Sequence, residues 1–297
     1  MELHQLRYAV ALSEELHFGR AAARCHVSQP TLSQAVHNLE RELGRTLFER
    51  SSRKVSVTEA GRAFLPQAAS VLEALSRAKS SVADRDGEIS GTLRVGSIPT
   101  ICPYVMPGVL LKLAADAPRL KVELHEETTS TLVGYLKTGR IDIGLLSLPI
   151  PERGLSTLEL AEEPFRLAVG ARHRLARQRS IDLKHVLGEQ LLILQEGHCF
   201  GRQAMEFCKL SRHDPRVRFE GSSLTSVLRL AEAGAGVTFV PRMAVDPKAY
   251  PGLRFLDLTP GPRRSLGVVW RVTSPLERAH QAFIDAARTV LRQPARR

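Results

Sequence analysis

Cys199 and Cys208 stand nine residues apart in the stretch Gly197-His198-Cys199-Phe200-Gly201-Arg202-Gln203-Ala204-Met205-Glu206-Phe207-Cys208. The stretch reads as the opening turns of a helix. On a helix that spacing is two and a half turns, so the side chains face opposite ways, about 13 Å apart along the axis. A disulfide needs Cα atoms within about 7 Å. Pairing would therefore require the segment to unwind, and one covalent bond would select between two conformations of the same residues. Cys199 has the surroundings of a reactive thiol. Gly197 and Gly201 permit backbone rearrangement, and His198, Arg202 and a helix N-terminus can stabilise a thiolate. Such a thiolate attacks a peroxide oxygen to give a sulfenic acid, with Cys208 as the candidate resolving thiol. Two ordinary buried cysteines are the other reading of the same spacing.

The rest of the chain limits what those residues can belong to. Its 297 residues suggest two or three domains. With 43% hydrophobic and 25% charged residues, the composition is that of a globular protein. No apolar run approaches a membrane span, and the N-terminus lacks the pattern of a signal peptide, so the expected location is the cytoplasm. Four cysteines are too few for a disulfide scaffold. Cys25 sits in a helical apolar pattern and Cys102 is expected in the core. Neither His125, His198 nor His213 shows metal-ligand spacing, and no phosphate loop, nucleophile elbow or zinc-protease motif occurs, so no cofactor and no enzymatic activity are expected. The net charge is +11, yet residues 1–91 carry 12 Lys/Arg against 11 Asp/Glu and the remainder 30 against 20. The surplus is either a solvated basic surface or a second contact with DNA or with RNA polymerase.

The first ninety residues place three helical patterns in succession. Leu3, Leu6, Ala9, Val10 and Leu12 recur at helical spacing, and Phe18–Cys25 forms a short second helix. Ser28 is an N-cap, Pro30 falls in the first turn, Leu32, Val36, Leu39 and Leu43 share a face, and Gly44 ends the helix. This is a helix-turn-helix pattern whose exposed face carries Gln29, Thr31, Ser33, Gln34, His37 and Asn38, all able to meet base edges. Residues 47–58 read as two strands around a basic turn, a wing offering Arg50, Arg53 and Lys54 to phosphates. Thr58 caps a helix to about Val82. Its positions Gly61, Phe64, Ala68, Val71, Leu75, Ala78 and Val82 form a coiled-coil seam calling for a second copy, with Pro66 expected to kink it.

These motifs resemble the LysR-type transcriptional regulators. Ala21-Ala22 precedes Val27-Ser28-Gln29-Pro30-Thr31-Leu32-Ser33; Leu39-Glu40-x-Glu42-Leu43-Gly44, Leu47-Phe48-x-Arg50 and Thr58-x-Ala60-Gly61 follow. The resemblance implies a homodimeric or tetrameric protein that binds double-stranded promoter DNA through Gln29, Pro30, Ser33, Arg50 and Arg53.

Beyond residue 91, strand and helix patterns alternate. The strands expected are Thr92–Ile98, Val122–Glu126, Asp142–Ser147, Phe165–Gly170, Leu191–Gln195, Val217–Glu220, Val237–Val240, Leu253–Leu258 and Ser265–Arg271. Helices are expected over Tyr104–Asp116, Thr131–Gly139 and Leu224–Gly234. Alternation argues an α/β domain with a mostly parallel sheet. The resemblance implies an effector domain of two subdomains, like a periplasmic binding protein, with crossovers near Glu162–Pro164 and Leu266–Arg271. The expected organisation is a winged helix-turn-helix at 1–58, a linker helix and hinge at 59–91, and a regulatory domain at 92–297. Within the last, subdomain I takes 92–163 with 268–297 and subdomain II takes 164–267.

The segment around the cysteines narrows the resemblance. Gly197-His198-Cys199, Gln203-Ala204-Met205-x-Phe207-Cys208 and Phe219-x-x-x-Ser223-Leu224 look like the OxyR branch, which senses hydrogen peroxide. That implies oxidation of Cys199, disulfide formation with Cys208, an altered tetramer on DNA, contact with RNA polymerase and control of antioxidant genes. Thioredoxin or glutaredoxin would return the protein to its reduced form. Ile98-Pro99-Thr100, His125-Glu126 with Thr129, and Arg263-Arg264 match the parts that line the peroxide pocket. The implied pocket set is Thr100, Thr129, His125, His198 and Arg264, with Arg264 helping to lower the thiol pKa. The chain departs from the branch at Phe200-Gly201-Arg202, where the arginine is displaced by one residue, and in carrying Cys102. The rival readings are a LysR-type regulator of a small organic anion and, more remotely, a thiol peroxidase.

Overall fold

The computed structural model describes the chain except residues 51–54, 84–88, 187, 195–215, 222, 260, 275–276 and 293–297, and except the side chains of residues 50, 73, 76–77, 79–83 and 216–218. Cys199, Cys208, His198, Arg53, Lys54 and the Arg50 side chain therefore lie outside the described residues. The chain divides into two compact units, Met1–Glu88 with Lys137–Arg140, and Ile89–Leu136 with Ile141–Arg297.

The first unit contains α1 (Leu3–Glu15), α2 (Phe18–Arg24), α3 (Gln29–Leu43), β1 (Phe48–Arg50), β2 (Val55–Val57) and α4 (Glu59–Ala83). Ser28 caps α3 by accepting the Thr31 N–H at 3.3 Å, and Pro30 stands in the first turn, where its missing N–H costs no helical bond. Gly44 ends the helix in the left-handed region, at φ 63°. Leu32, Val36 and Leu39 are fully buried against Leu6, Leu12, Ala21 and Ala22. Each such side chain contributes roughly 1.5–3 kcal/mol by leaving water.

A buried carboxylate ties the wing to α3. Glu40 Oε1 accepts the N–H groups of Leu47 and Phe48 at 2.8 and 3.1 Å. From the other side, the Thr58 hydroxyl accepts the Gly61 N–H at 2.9 Å, capping α4, and donates to the Thr46 carbonyl at 2.8 Å. The start of α4 then lies so close to the wing that a Cβ on Gly61 would stand 2.3 Å from the Leu47 carbonyl oxygen. The apolar stripe along α4 divides. Phe64, Leu65, Ala68 and Leu72 join the helix-turn-helix core, whereas Val71 is 47% exposed. The α4 helix continues through Pro66.

The second unit runs β3 (Ser90–Ser97), α5 (Cys102–Asp116), β4 (Arg119–Glu126), α6 (Thr129–Thr138), β5 (Ile143–Leu148), β6 (Leu155–Gly170), β7 (Ser180–Ile181), α7 (Leu183–Val186), β8 (Gln190–Leu194), β9 (Arg216–Gly221), α8 (Leu224–Glu232), β10 (Thr238–Pro241), β11 (Leu253–Leu258), β12 (Arg263–Arg271) and α9 (Arg278–Arg292). One sheet has the order β4-β3-β5-β12-β6-β11-β7, with β10 also on β6; β8 and β9 form a separate parallel pair. The sheet is mixed and not mostly parallel. β4, β3 and β5 are parallel, but β12 runs antiparallel to both β5 and β6, and β6 runs antiparallel to β10 and β11.

The long strand β6 serves two cores. Its first part pairs with β12 from Leu155↔Arg271 to Pro164↔Arg263. Its last part, from Phe165, pairs with β10 and β11. One core gathers β3, β5, β12, α5, α6 and α9 around Val95, Ile143, Val268 and Phe283; the other gathers β6, β8, β10, β11 and α8 around Leu167, Leu192, Val227 and Leu256. β12 pairs with the first part of β6 along its whole length, from Arg263 to Arg271, and with β5 from Ser265 to Trp270. Among the described residues no helix is long and apolar enough to cross a membrane.

Replacing Gly61 by Ala forces the backbone of α4 away from Leu47. The expected loss is about 1–3 kcal/mol, as for other overpacked sites, read as a lowered midpoint in thermal unfolding of the N-terminal unit. An unchanged midpoint would mean that α4 and the wing are not in contact at Gly61.

Candidate functional site

Three parallel strands, β3, β4 and β5, end on one edge of the large sheet, the edge where ligands gather in α/β folds. Thr100 lies in the turn between β3 and α5, His125 near the end of β4, and Thr129 opens α6 immediately after. The turn at Thr100 is tightly determined. The Ile98 carbonyl accepts the N–H groups of Ile101 and Cys102 at 2.9 and 2.8 Å, while Ile98 and Ile101 are buried.

Arg264 organises the site. Its side chain is 0% exposed. Nε donates to Glu163 Oε2 at 2.7 Å, one terminal nitrogen to the Thr100 hydroxyl at 2.9 Å, and the other to the Thr100 carbonyl at 3.1 Å. The second terminal nitrogen also lies 2.7 Å from Glu163 Oε2 and 3.8 Å from the Met243 sulfur. The guanidinium carbon stands 5.7 Å from the centre of the Phe165 ring. Glu163 uses its other oxygen to accept the Met243 N–H at 2.7 Å. Arg264 and Glu163 face each other in the β12–β6 ladder, and side chains alternate along a strand. The neighbouring Arg263 and Glu162 consequently point outward and form a 3.0 Å ion pair in which both side chains are more than half exposed.

The network fixes the polarity of Thr100. A guanidinium only donates, so the Thr100 oxygen must accept from it. The hydroxyl proton is then directed elsewhere and is available to a bound oxygen acceptor. Thr129 offers a second hydroxyl, whose oxygen is buried and has no hydrogen-bond partner among the described residues. His125 is half-buried and meets the Tyr135 ring edge-on, with centroids 6.1 Å apart. Among the described residues no hydrogen bond joins it to Thr100, Thr129 or Arg264.

Cys102 is a core residue, as expected, at the start of α5. Burial, together with a hydrogen bond to the Glu126 carboxylate and the charge of that carboxylate, pushes its thiol up to about 12. It therefore stays protonated and poorly nucleophilic at neutral pH. Because the folded state holds this proton more tightly, the associated stabilisation is complete below the ordinary thiol value of 9.0 and is lost as pH rises towards about 12.

In the N-terminal unit, α3 presents Gln29, Pro30, Thr31, Gln34 and His37 at the surface, with Ser33 half-buried. The Thr31 hydroxyl shares a 2.7 Å hydrogen bond with Ser28, and Gln34 donates to Asn38 at 3.0 Å. Sequence reasoning missed Glu163 and Met243. Glu163 carries one signal that was legible, its place opposite Arg264 once β6 and β12 are paired; Met243 carries none, because its backbone N–H is what Glu163 uses.

Residues 3–62 match the bacterial regulatory helix-turn-helix proteins of the lysR family, and residues 86–292 match the LysR substrate binding domain. The chain is 38% identical over 290 residues to the DNA-binding transcriptional dual regulator OxyR of Escherichia coli K12, covering 97% of this chain and 95% of that protein. It is similar to the structure of a full-length OxyR from Pseudomonas aeruginosa in which a cysteine is replaced by aspartate. There the identity is 37%, the TM-score 0.83, and the coverage 98% of this chain and 95% of the other. A Corynebacterium glutamicum OxyR cysteine mutant in its H2O2-bound form gives 34% identity and a TM-score of 0.64, covering 97% and 94%.

Removing one member of the buried pair leaves an uncompensated charge. Arg264→Met and Glu163→Leu should each cost about 3–5 kcal/mol, and the exposed Arg263→Gln less than about 1 kcal/mol, read from urea midpoints of the regulatory unit. Equal effects at positions 263 and 264 would contradict the alternation. Independently, iodoacetamide at pH 8 should leave Cys102 unmodified in the native protein and label it after unfolding; rapid native labelling would refute its burial against Glu126.

Proposed function

The chain belongs to the LysR family of bacterial transcriptional regulators, and on that premise we propose that it is a hydrogen peroxide-sensing member that controls antioxidant genes. It is a DNA-binding regulator and not an enzyme. The observation that carries the reading is identity to OxyR proteins along nearly the whole chain, regulatory unit included. The relatives from Haemophilus influenzae and Escherichia coli are named as hydrogen peroxide-inducible genes activators.

In this reading the Thr100 and Thr129 hydroxyls hold peroxide, with His125 and His198 beside it, and Arg264 supplies positive charge near the sulfur. The Cys199 thiolate attacks one peroxide oxygen. The S–O bond forms, the O–O bond breaks, and the departing hydroxide takes up a proton to leave as water. The Cys208 thiolate then attacks the sulfenic sulfur, forming S–S and releasing the second oxygen as water. The balance is one peroxide and two thiols to one disulfide and two waters. Supporting this assignment, the Thr100 hydroxyl proton is directed away from Arg264, and the Thr129 oxygen is buried without a partner among the described residues. Cys102, held protonated, takes no part.

DNA contact falls to Gln29, Pro30, Thr31, Ser33, Gln34 and His37 on α3, and to Arg50, Arg53 and Lys54 at the wing. The exposed part of the α4 stripe suits dimerisation with a second copy, and a tetramer on promoter DNA follows from two such pairs. Disulfide formation changes subunit packing, and thereby the bend of the DNA and the contact with RNA polymerase. Thioredoxin or glutaredoxin reduces the protein in the cytoplasm. We place the subdomain boundaries at Pro164–Phe165 and in the segment before Arg263.

Treating the reduced protein with one equivalent of hydrogen peroxide should remove two hydrogens and join Cys199 to Cys208. Cys199→Ser should abolish the transcriptional response while leaving DNA affinity unchanged, because the DNA-contacting residues named above do not include it. A persistent response in that variant would overturn the scheme, and a small anion would become the signal to seek.

A further inference from the structure

A family of DNA-binding proteins draws much of its affinity from cations on phosphates, yet the first 91 residues here carry only one more Lys/Arg than Asp/Glu. The excess lies in the regulatory unit, and part of it is concentrated from just after β6 into α7. Arg172, Arg174, Arg177, Arg179 and Lys184 are all exposed there within thirteen residues. The nearby acids are already engaged. Glu189 is paired with His173 and Arg174, Asp257 with Arg166 at 2.8 Å, and Asp182 accepts the Lys184 N–H at 2.8 Å. Arg172, Arg177 and Arg179 form no ion pair among the described residues.

The ridge is built on a fixed backbone. His173 caps a short 3-10 turn, Arg174–Arg177, whose Leu175 is buried. Ala171 donates to the Gly252 carbonyl at 2.7 Å, Asp257 to the Arg179 carbonyl at 3.0 Å, and Thr259 to the Ile181 carbonyl at 3.0 Å. Three residues per turn set Arg174 and Arg177 on one edge, about 6 Å apart. Four of the five cations are arginines, whose planar forks suit phosphate oxygens better than a lysine point charge does. The exposed side chains of the ridge include no large apolar anchor, which a specific protein partner would need in the centre of its interface.

We propose that this ridge is a second, sequence-independent contact for the phosphate backbone of double-stranded DNA, supplementing the helix-turn-helix. It rests on membership of a DNA-binding family and not on the peroxide chemistry.

The test compares full-length reduced protein with the triple variant R172Q/R177Q/R179Q by anisotropy titration of a long random-sequence duplex and of promoter DNA across a potassium chloride series. Each phosphate contact contributes about 0.9 to the slope of log K against log salt. The variant should be shallower by about 2–3 on both DNAs and weaker on both by a similar factor. Its thermal midpoint and rate of Cys199 oxidation should match the parent, which separates failure of this inference from failure of the sensor reading. As a second probe, R177E alone should weaken both DNAs. Unchanged slopes in the triple variant overturn the proposal. Unchanged slopes with reduced recruitment of RNA polymerase overturn it in favour of an acidic protein surface.

Discussion

The buried pairing of Arg264 with Glu163 is the interaction on which the regulatory unit depends. Two strands could be joined by backbone bonds alone. This pair does more, because it brings together β12, β6, the turn carrying Thr100 and the backbone of Met243, and it stands where β6 passes from one core to the other. A buried ion pair is a poor source of net stability compared with apolar packing. Its value here is directional. An acceptor-only carboxylate faces a donor-only guanidinium, which faces a hydroxyl that must accept, and the hydrogen-bond polarity of the site follows from that chain of constraints.

The N-terminal unit uses the same device with the opposite charge. Glu40, buried on α3, takes two backbone N–H groups at the entry to the wing, and the Thr58 hydroxyl closes the other side by capping α4 and returning to Thr46. Helix, wing and linker helix thereby hold a common geometry, with Gly61 required where two backbones meet. The polar residues of α3 can face outward because Leu32, Val36 and Leu39 anchor its other side.

Much of this was legible in the residues. The cap at Ser28, the stop at Gly44, the two wing strands and the cap at Thr58 stand where local chemistry puts them, because each depends on neighbours in sequence. The strands from β3 to β5 were legible from their apolar runs. The first part of β6 was not, since Glu159, Glu162, Glu163 and Pro164 break the apolar pattern, which resumes only at Phe165. The strand tolerates them because Glu162 faces water and Glu163 is neutralised by a residue 101 positions away. α9 was overlooked despite Phe283, Ile284 and Ala287 recurring at helical spacing. The orientation of the sheet was misjudged for a related reason: antiparallel pairing of β12 with β5 and β6 is a property of chain return, which local patterning does not encode. The site was legible as a set of residue types through family resemblance. Its organising carboxylate, Glu163, depends on long-range register and was not.

The placement of β12 has a consequence for the order in which the protein can be made. This strand stands between β5 and β6 in the middle of the sheet, yet in chain order it comes after every other strand among the described residues. The second core is drawn from one contiguous stretch, Phe165 to Leu258. On the ribosome, then, the second core has its described residues in hand while the sheet still lacks its middle strand. Chains generally mature from the N-terminus. Here the second core can close first, and the sheet must hold β3, β4, β5 and the first part of β6 in readiness until β12 emerges.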